Sequence, residues 1–343
     1  DPLWSRGLGD VYKRQTLRLV VDRDRSIANF VPVPFWAIDV QLEHAGQRFN
    51  AQWRAPEDAC DDQGRCLKQD LAQRAATDIG HAGTARAVKV ATERVREAAP
   101  LPFDLGTLQE LCSKKFGLGA QETLDIAQAL YETHKLITYP RSDCGYLPQS
   151  QHAEAPAILA ALQRADASLA PLQPYLEPQR RSRAWNDAKV SAHHGIIPTA
   201  AASDPSRLPA KHKAVYTLIR ARYLAQFLPN HEYDRTQADF DCAGHALRAV
   251  GKQIVEPGWR RALPEALTPA KGREAPPAQV LPALREGQDC NVHGLQLKDL
   301  WTQPPKPFTE GDLIKAMKNV AKLVDDPRPV SYTHLTLPTI YSV

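Results

Sequence analysis

HKLITYPRSD, residues 134–143, sets a tyrosine, a proline and an arginine in a row directly after a helical stretch. About fifty residues on, KVSAHHGIIPT (189–199) brings a lysine, a serine and two adjacent histidines ahead of an apolar pair and a proline. Proline fixes its own φ and biases the residue before it toward extended backbone. Residues two apart in extended chain share a face, so Tyr139 and Arg141 are expected side by side. A phenol is a weak nucleophile at neutral pH until neighbouring cations favour its ionised form. A guanidinium beside it suits phosphoryl transfer, because it forks two phosphate oxygens while the tyrosine oxygen attacks in line. In the second stretch an imidazole can donate to a phosphate oxygen or pass a proton to a leaving hydroxyl. Neighbouring histidines in extended chain point to opposite sides, so at most one of His193 and His194 faces such a reaction. Taken singly, each stretch also reads as ordinary surface, a tyrosine beside an arginine and a structural pair of histidines.

Working outward, Trp36, Ile38, Val40 and Leu42 alternate with Ala37, Asp39, Gln41 and Glu43, the period of a half-buried strand. A turn at Gly46 follows, and Phe49, Ala51 and Trp53 resume the alternation, which predicts a hairpin. Thr236, Ala238, Phe240 and Cys242 repeat the pattern, Gly244 turns, and short strands run to about Val255. These separated regions are expected to share one sheet, with the residues between them inserted. The insert begins helical. Thr107 and Glu110 have capping-box spacing, with Leu108, Leu111 and Cys112 as the apolar stripe. Gly117 and Gly119 break that helix, and a second, about 121–134, carries Leu124, Ala127 and Tyr131 on one side. The pair resembles a helix-turn-helix, a motif that is as often structural as DNA-binding. A third helix, about 210–228, carries Tyr216, Ile219, Tyr223 and Phe227, read as core rather than as a ladder for stacking bases. Residues 262–287 are rich in Pro and Ala and read as a linker.

The 343 residues suffice for two or three domains, and 43% hydrophobic with 24% charged content fits a soluble globular protein. No run of about 18 apolar residues occurs, and the start, DPLWSRGLGD, has no signal-peptide pattern. A net charge of +4 permits an anionic partner without requiring one. Six cysteines, at 60, 66, 112, 144, 242 and 290, include no CxxC pair, which argues for reduced thiols and against a zinc ribbon. No third ligand accompanies the two histidines, so no metal site is expected within the chain. The sole methionine is Met317, so the chain is expected to begin mid-protein or to have lost its start.

The two stretches together resemble the active-site pair of the type IA DNA topoisomerases, in particular the bacterial topoisomerase III branch. Further segments match in order: LVVDRDRSIANFVPVPFW (19–36), LPFDLGTLQ (101–109), EPGWR (256–260) and PFTEGDLIKAM (307–317), so the resemblance spans about residues 16–328. It implies an α+β core, a beta-rich gate or arch domain with an inserted, winged-helix-like catalytic-tyrosine domain. The implied division is the end of a helical base at 16–28, the gate at 29–100 and 206–300, the tyrosine domain at 101–205, and the returning helical base at 301–329. Residues 1–15 and 330–343 read as foreign-looking tails.

By position, the resemblance implies that Tyr139 attacks a single-stranded DNA phosphodiester and forms a 5′-phosphotyrosyl link. Arg141 then sits at the scissile phosphate and His193 contacts it, while His194 falls where the family varies. Lys135 and Thr138 are expected to position the strand, and Arg183, Lys189 and Ser191 to touch the DNA backbone. RRSR (180–183) and KHK (211–213) are further candidate phosphate contacts. Strand cleavage, passage and rejoining without ATP would relax negative supercoils or decatenate DNA. The family's Mg2+ is held by a Toprim domain whose acidic motifs precede the matching region and are not recognisable in this chain. The chain is therefore expected to be an internal fragment, monomeric, cytoplasmic and nucleoid-associated, that does not complete the reaction alone. A non-catalytic single-stranded DNA-binding module is the alternative. A tyrosine relaxase would want His-x-His, which the adjacent histidines do not provide.

Overall fold

A computed structural model describes residues 3–263 and 279–323. Six strands form a closed antiparallel barrel in the order β1-β2-β5-β4-β3-β6. They are β1 (Pro34–His44), β2 (Gln47–Arg54), β3 (Thr84–Glu97), β4 (His231–Cys242), β5 (His245–Glu256) and β6 (Asp289–Trp301). The two alternating stretches become the hairpins β1–β2 and β4–β5. Their turns, Ala45–Gly46 and Ala243–Gly244, have positive φ at both central residues (51° and 78°, 51° and 82°), as the turn that matches strand twist requires. Closure comes from β6, which pairs with β1 over Pro34–Glu43 and with β3 over Thr84–Arg86, so the sheet keeps no open edge.

Inside, Ile38, Val40, Leu42, Phe49, Ala51, Trp53, Phe240 and Leu247 form one core with Ala72, Ala75 and Ile79 of helix α2 (Gln69–Ala82). Ala85 and Ala87 of β3, and Ala238 paired with Ala249 across β4 and β5, belong to the same core.

The helical unit is inserted between β3 and β4. It holds α3 (Leu105–Phe116), α4 (Ala120–Glu132), α5 (Ala155–Ala165) and α6 (Ala210–Ala225) around a second core. Tyr216, Ile219 and Tyr223 of α6 and Phe227 just beyond it are fully or almost fully buried, so this stripe is core, as its spacing suggested. Burial pushes the Tyr216 phenol up to about 12 and leaves it protonated. The buried residues of α6 share this second core. The start of the insert is fixed through its carbonyls. Glu97 O accepts from Trp259 Nε1 (2.7 Å), Ala99 O from Arg183 (3.3 Å), Pro100 O from Gln226 (2.7 Å) and Leu101 O from Arg222 (3.0 Å). Arg222 also lies 3.9 Å over the Phe103 ring, and burial lowers its pKa to about 10.

One expectation changes. The cap of α3 is Asp104, whose carboxylate accepts from Thr107 N (2.8 Å) and Thr107 Oγ1 (2.7 Å), so Thr107 is the third helical residue and not the cap. Residues 3–15 of the stretch read as a foreign-looking tail are continuous with the residues that follow, in helix α1, which runs from Leu3 to Ala28. It meets α7 (Glu310–Leu323) through Thr16 Oγ1 and Met317 Sδ (3.4 Å), while Arg23 donates to Lys306 O (2.7 Å) and covers the Phe308 ring. In turn α7 grips the insert: Lys318 reaches Asp104 (2.6 Å), and Glu310 accepts from Ala120 N at the start of α4 (2.5 Å). The tail expected at 330–343 and most of the expected linker lie outside the described residues. No helix among the described residues is long and apolar enough to cross a membrane, and all six cysteines are free.

Candidate active site

Helix α4 ends in a turn that aims the chain toward Tyr139. Leu136 N donates to Leu130 O (2.9 Å), and Lys135 takes positive φ (59°), which costs a non-glycine residue about 1 kcal/mol. From there the two motifs run against each other. Thr138 N donates to Ile197 O (2.9 Å), Ile197 N donates to Thr138 Oγ1 (3.0 Å), and Thr199 N donates to Leu136 O (3.0 Å). Thr199 Oγ1 closes the turn on Lys135 O at 2.6 Å. The start of α3 straps both segments: Leu105 N donates to Ser142 O and Ile196 N to Phe103 O, each at 2.8 Å.

Tyr139 is 36% exposed. Beyond it Pro140 and Ser142 are buried, while Arg141 is half-buried and Asp143 exposed, so residues 139, 141 and 143 stand on the open side. The His193 ring lies against Tyr139, with centroids 4.8 Å apart and planes at 45°. Tyr131, from the last turn of α4, meets Tyr139 edge-on at 5.7 Å. His194 is half-buried and its Nδ1 lies 2.8 Å from Gly195 O. The structure thus separates the two histidines by contact, one on the tyrosine and one on its own backbone.

The remaining candidates divide. Ser191 Oγ donates to Asp143 Oδ1 (2.9 Å), joining the motifs, and Lys189 Nζ donates to Tyr146 Oη (3.4 Å). Thr138 spends its hydroxyl on Ile197 N and Gly195 O, which makes it a brace between the two segments. Arg183 is turned to Ala99 O, and the other arginines of RRSR are engaged too, Arg180 with Glu177 and Arg181 with Gln149. In KHK, Lys211 pairs with Glu122, and burial together with the neighbouring His134 lowers the His212 pKa. Sequence reasoning took Tyr131 for a packing residue and passed over Tyr146 and Thr199. Tyr131 alone had a signal, its place on the apolar side of α4.

Three backbones meet beneath the site. A Cβ on Gly145 would stand 2.8 Å from Pro102 O, and one on Gly195 would stand 3.0 Å from Pro102 Cβ and 3.1 Å from Gly145 O. Gly145→Ala is expected to destabilise the chain by about 1–3 kcal/mol through this overpacking, read from urea midpoints at unchanged slope. Gly195→Ala, whose neighbours have less to yield, is expected to cost less.

The residues around Tyr139 do not fit Mg2+. Asp143, the carboxylate four residues on, already accepts from Ser191, and among the described residues no three His, Cys, Asp or Glu side chains converge.

A family profile described as DNA topoisomerase matches residues 13–323, and the chain belongs to that family. It is 39% identical to DNA topoisomerase 3 of Salmonella typhimurium over 94% of this chain and 49% of that protein. To DNA topoisomerase 3 of Pasteurella multocida it is 37% identical over 94% of this chain and 51% of that protein. The type IA, topoisomerase III-like membership expected from the sequence agrees with these relatives. The chain spans about half the length of the curated relatives it matches. Its fold is shared with full-length topoisomerase I from Thermotoga maritima (TM-score 0.65, 20% identity, 90% of this chain and 48% of that chain).

Proposed function

We propose that Tyr139 is the nucleophile of a type IA topoisomerase that cuts and rejoins one DNA strand. The observation that carries this reading is the Tyr139–His193 contact at 4.8 Å, made between two hydrogen-bonded segments, with Arg141 half-buried two residues on. In this reading the Tyr139 oxygen attacks phosphorus, the bond to the 3′ oxygen breaks, and a 5′-phosphotyrosyl link forms. The phenolic proton leaves, the departing 3′ oxygen takes one up as a hydroxyl, and rejoining runs the same steps backward. Arg141 neutralises the phosphoryl oxygens, and His193 hydrogen-bonds the phosphate or hands on the proton. The new phosphodiester keeps the energy of the old one, so no ATP is needed.

Lys189 and Ser191 border this site and are proposed to contact the DNA backbone. Lys135 is proposed to do so with its ammonium while its backbone makes the turn. Thr138 is proposed to act on the strand through the brace it forms, and Arg183 by fixing the start of the insert. The partner is single-stranded or negatively supercoiled DNA, met by a monomer in the bacterial cytoplasm. Mg2+ would be supplied from outside the described residues, and the 343 residues by themselves are proposed to hold a strand without completing the cycle.

The test is a chimera in which residues 13–323 replace the matching half of the Salmonella typhimurium relative. It is expected to leave protein covalently on the 5′ phosphate at the cut, with a free 3′ hydroxyl on the other fragment, after denaturant quench. An active chimera whose adduct maps to any residue other than Tyr139 overturns the reading. Within it, His193→Ala is expected to slow cleavage roughly 10²-fold, with His194→Ala much milder. Equal losses in the two variants would mean that the ring contact does not identify the working histidine.

A further inference from the structure

Tyr146 is used by none of the steps above, yet it stands at the rim of the same site. Its carbonyl accepts from Gly195 N at 2.8 Å, two residues along the chain from His193, a span of at most about 7 Å. The Cys144 thiol, donating to Lys189 O at 3.4 Å, ties the next turn of the rim. The Lys189 ammonium is 3.4 Å from Tyr146 Oη but 5.1 Å from the ring centroid, so it sits toward the hydroxyl end rather than over the middle of the ring. The ring is half-buried, with a cation at its hydroxyl edge and not across its middle. Among the described residues no second aromatic ring is recorded against it. A planar group that carries an anion one bond system away is what this pair would hold, and a nucleotide is such a group.

Resting on the strand-cleavage reading, we propose that Tyr146 and Lys189 form a nucleotide subsite beside the scissile phosphate. The ring stacks one base of the single strand and the lysine takes the adjoining phosphate. The subsite tolerates any base, because every base offers a π-face. It holds the strand in register while Tyr139 reacts.

The experiment compares binding of the 343-residue chain to a thymidine 12-mer and to a 12-mer of abasic phosphodiesters. The Tyr139→Phe background removes cleavage from the measurement. The chain is expected to prefer the thymidine strand, and Tyr146→Leu to cut that preference on the order of tenfold, while Tyr146→Phe keeps it. A merely structural role would weaken both strands alike. Lys189→Gln is expected to weaken both and to flatten the log–log salt slope by about one. With 5-iododeoxyuridine in the strand, light is expected to cross-link the peptide that holds Tyr146. An unchanged preference in Tyr146→Leu, or cross-links that all map elsewhere, overturns the subsite and leaves the assignment of Tyr139 standing. A chain that binds neither strand overturns both.

Discussion

Tyr139→Phe is expected to bind single-stranded DNA as tightly as the parent chain and to form no covalent adduct at all. The ring contacts explain the first half. Phenylalanine keeps the T-shaped packing on Tyr131 at 5.7 Å and the tilted packing on His193 at 4.8 Å. It gives up only a hydroxyl that makes no hydrogen bond among the described residues. Folding stability should therefore move by less than about 0.5 kcal/mol, the usual range for an exposed substitution. The second half is chemical. Without the oxygen no phosphotyrosyl bond can form at this position; Tyr131 is half-buried against the core of the insert, and Ser142 is buried with its hydroxyl on Cys144 O. The measurement is a denaturing gel of end-labelled oligonucleotide after quench of the chimera, with fluorescence anisotropy for binding. An adduct that persists in the variant would assign the chemistry to another residue. Lost binding would mean that the hydroxyl holds the strand instead of attacking it.

What the sequence disclosed depends on how local the physics is. The hairpins β1–β2 and β4–β5 were readable because one face is buried along each strand and a glycine marks each turn. Strands β3 and β6 carried no such signal. Residues 91–96 of β3 are open to solvent on both faces save for half-buried Val95, and β6 buries only Cys290. Their strand character comes from pairing with residues far away, Thr84–Arg86 with Asp289–Asn291 among them, and that closes the barrel. The cap of α3 was misread because both D-x-x-T and T-x-x-E have the spacing of a box, and only the folded side chains show which carboxylate meets Thr107 N.

The same limit applies at the site. Tyr139 and Arg141 on one side follow from Pro140 and backbone period, a local matter. The meeting of Thr138 with Ile197 is between residues 59 apart, and residue chemistry alone does not specify it. Here the resemblance supplied what local reasoning could not. Arginines and lysines were the least legible residues. Arg183 and Lys211 look like free cations in a string of letters, but one is engaged by a carbonyl and the other by a carboxylate. A basic cluster in sequence is thus a poor guide to a basic surface in this fold.

Arg141→Ala is expected to slow cleavage by roughly 10³-fold or more, the scale of an arginine that clamps the transferred phosphoryl group, while changing single-strand affinity little. The asymmetry follows from when the interaction is strongest. A bound diester spreads one charge over its oxygens, and Lys189 at the rim is proposed to contribute to holding it. As the Tyr139 oxygen closes on phosphorus, charge gathers on the equatorial oxygens. A fork of donors fixed beside them then gains more in the transition state than in the bound strand. Arg141 has the placement for this. It is half-buried, which limits the water that would screen it, and its neighbours Pro140 and Ser142 are buried, which stiffens the backbone that carries it. Arg141→Lys separates geometry from charge. A lysine keeps the charge but loses the planar fork, so it should recover affinity fully and rate only in part. Single-turnover cleavage with saturating chimera reads the rate without the binding step. If Arg141→Ala weakened binding as much as it slowed cleavage, the guanidinium would be a strand-holding contact, and the transition state would have to be stabilised from elsewhere in the enzyme.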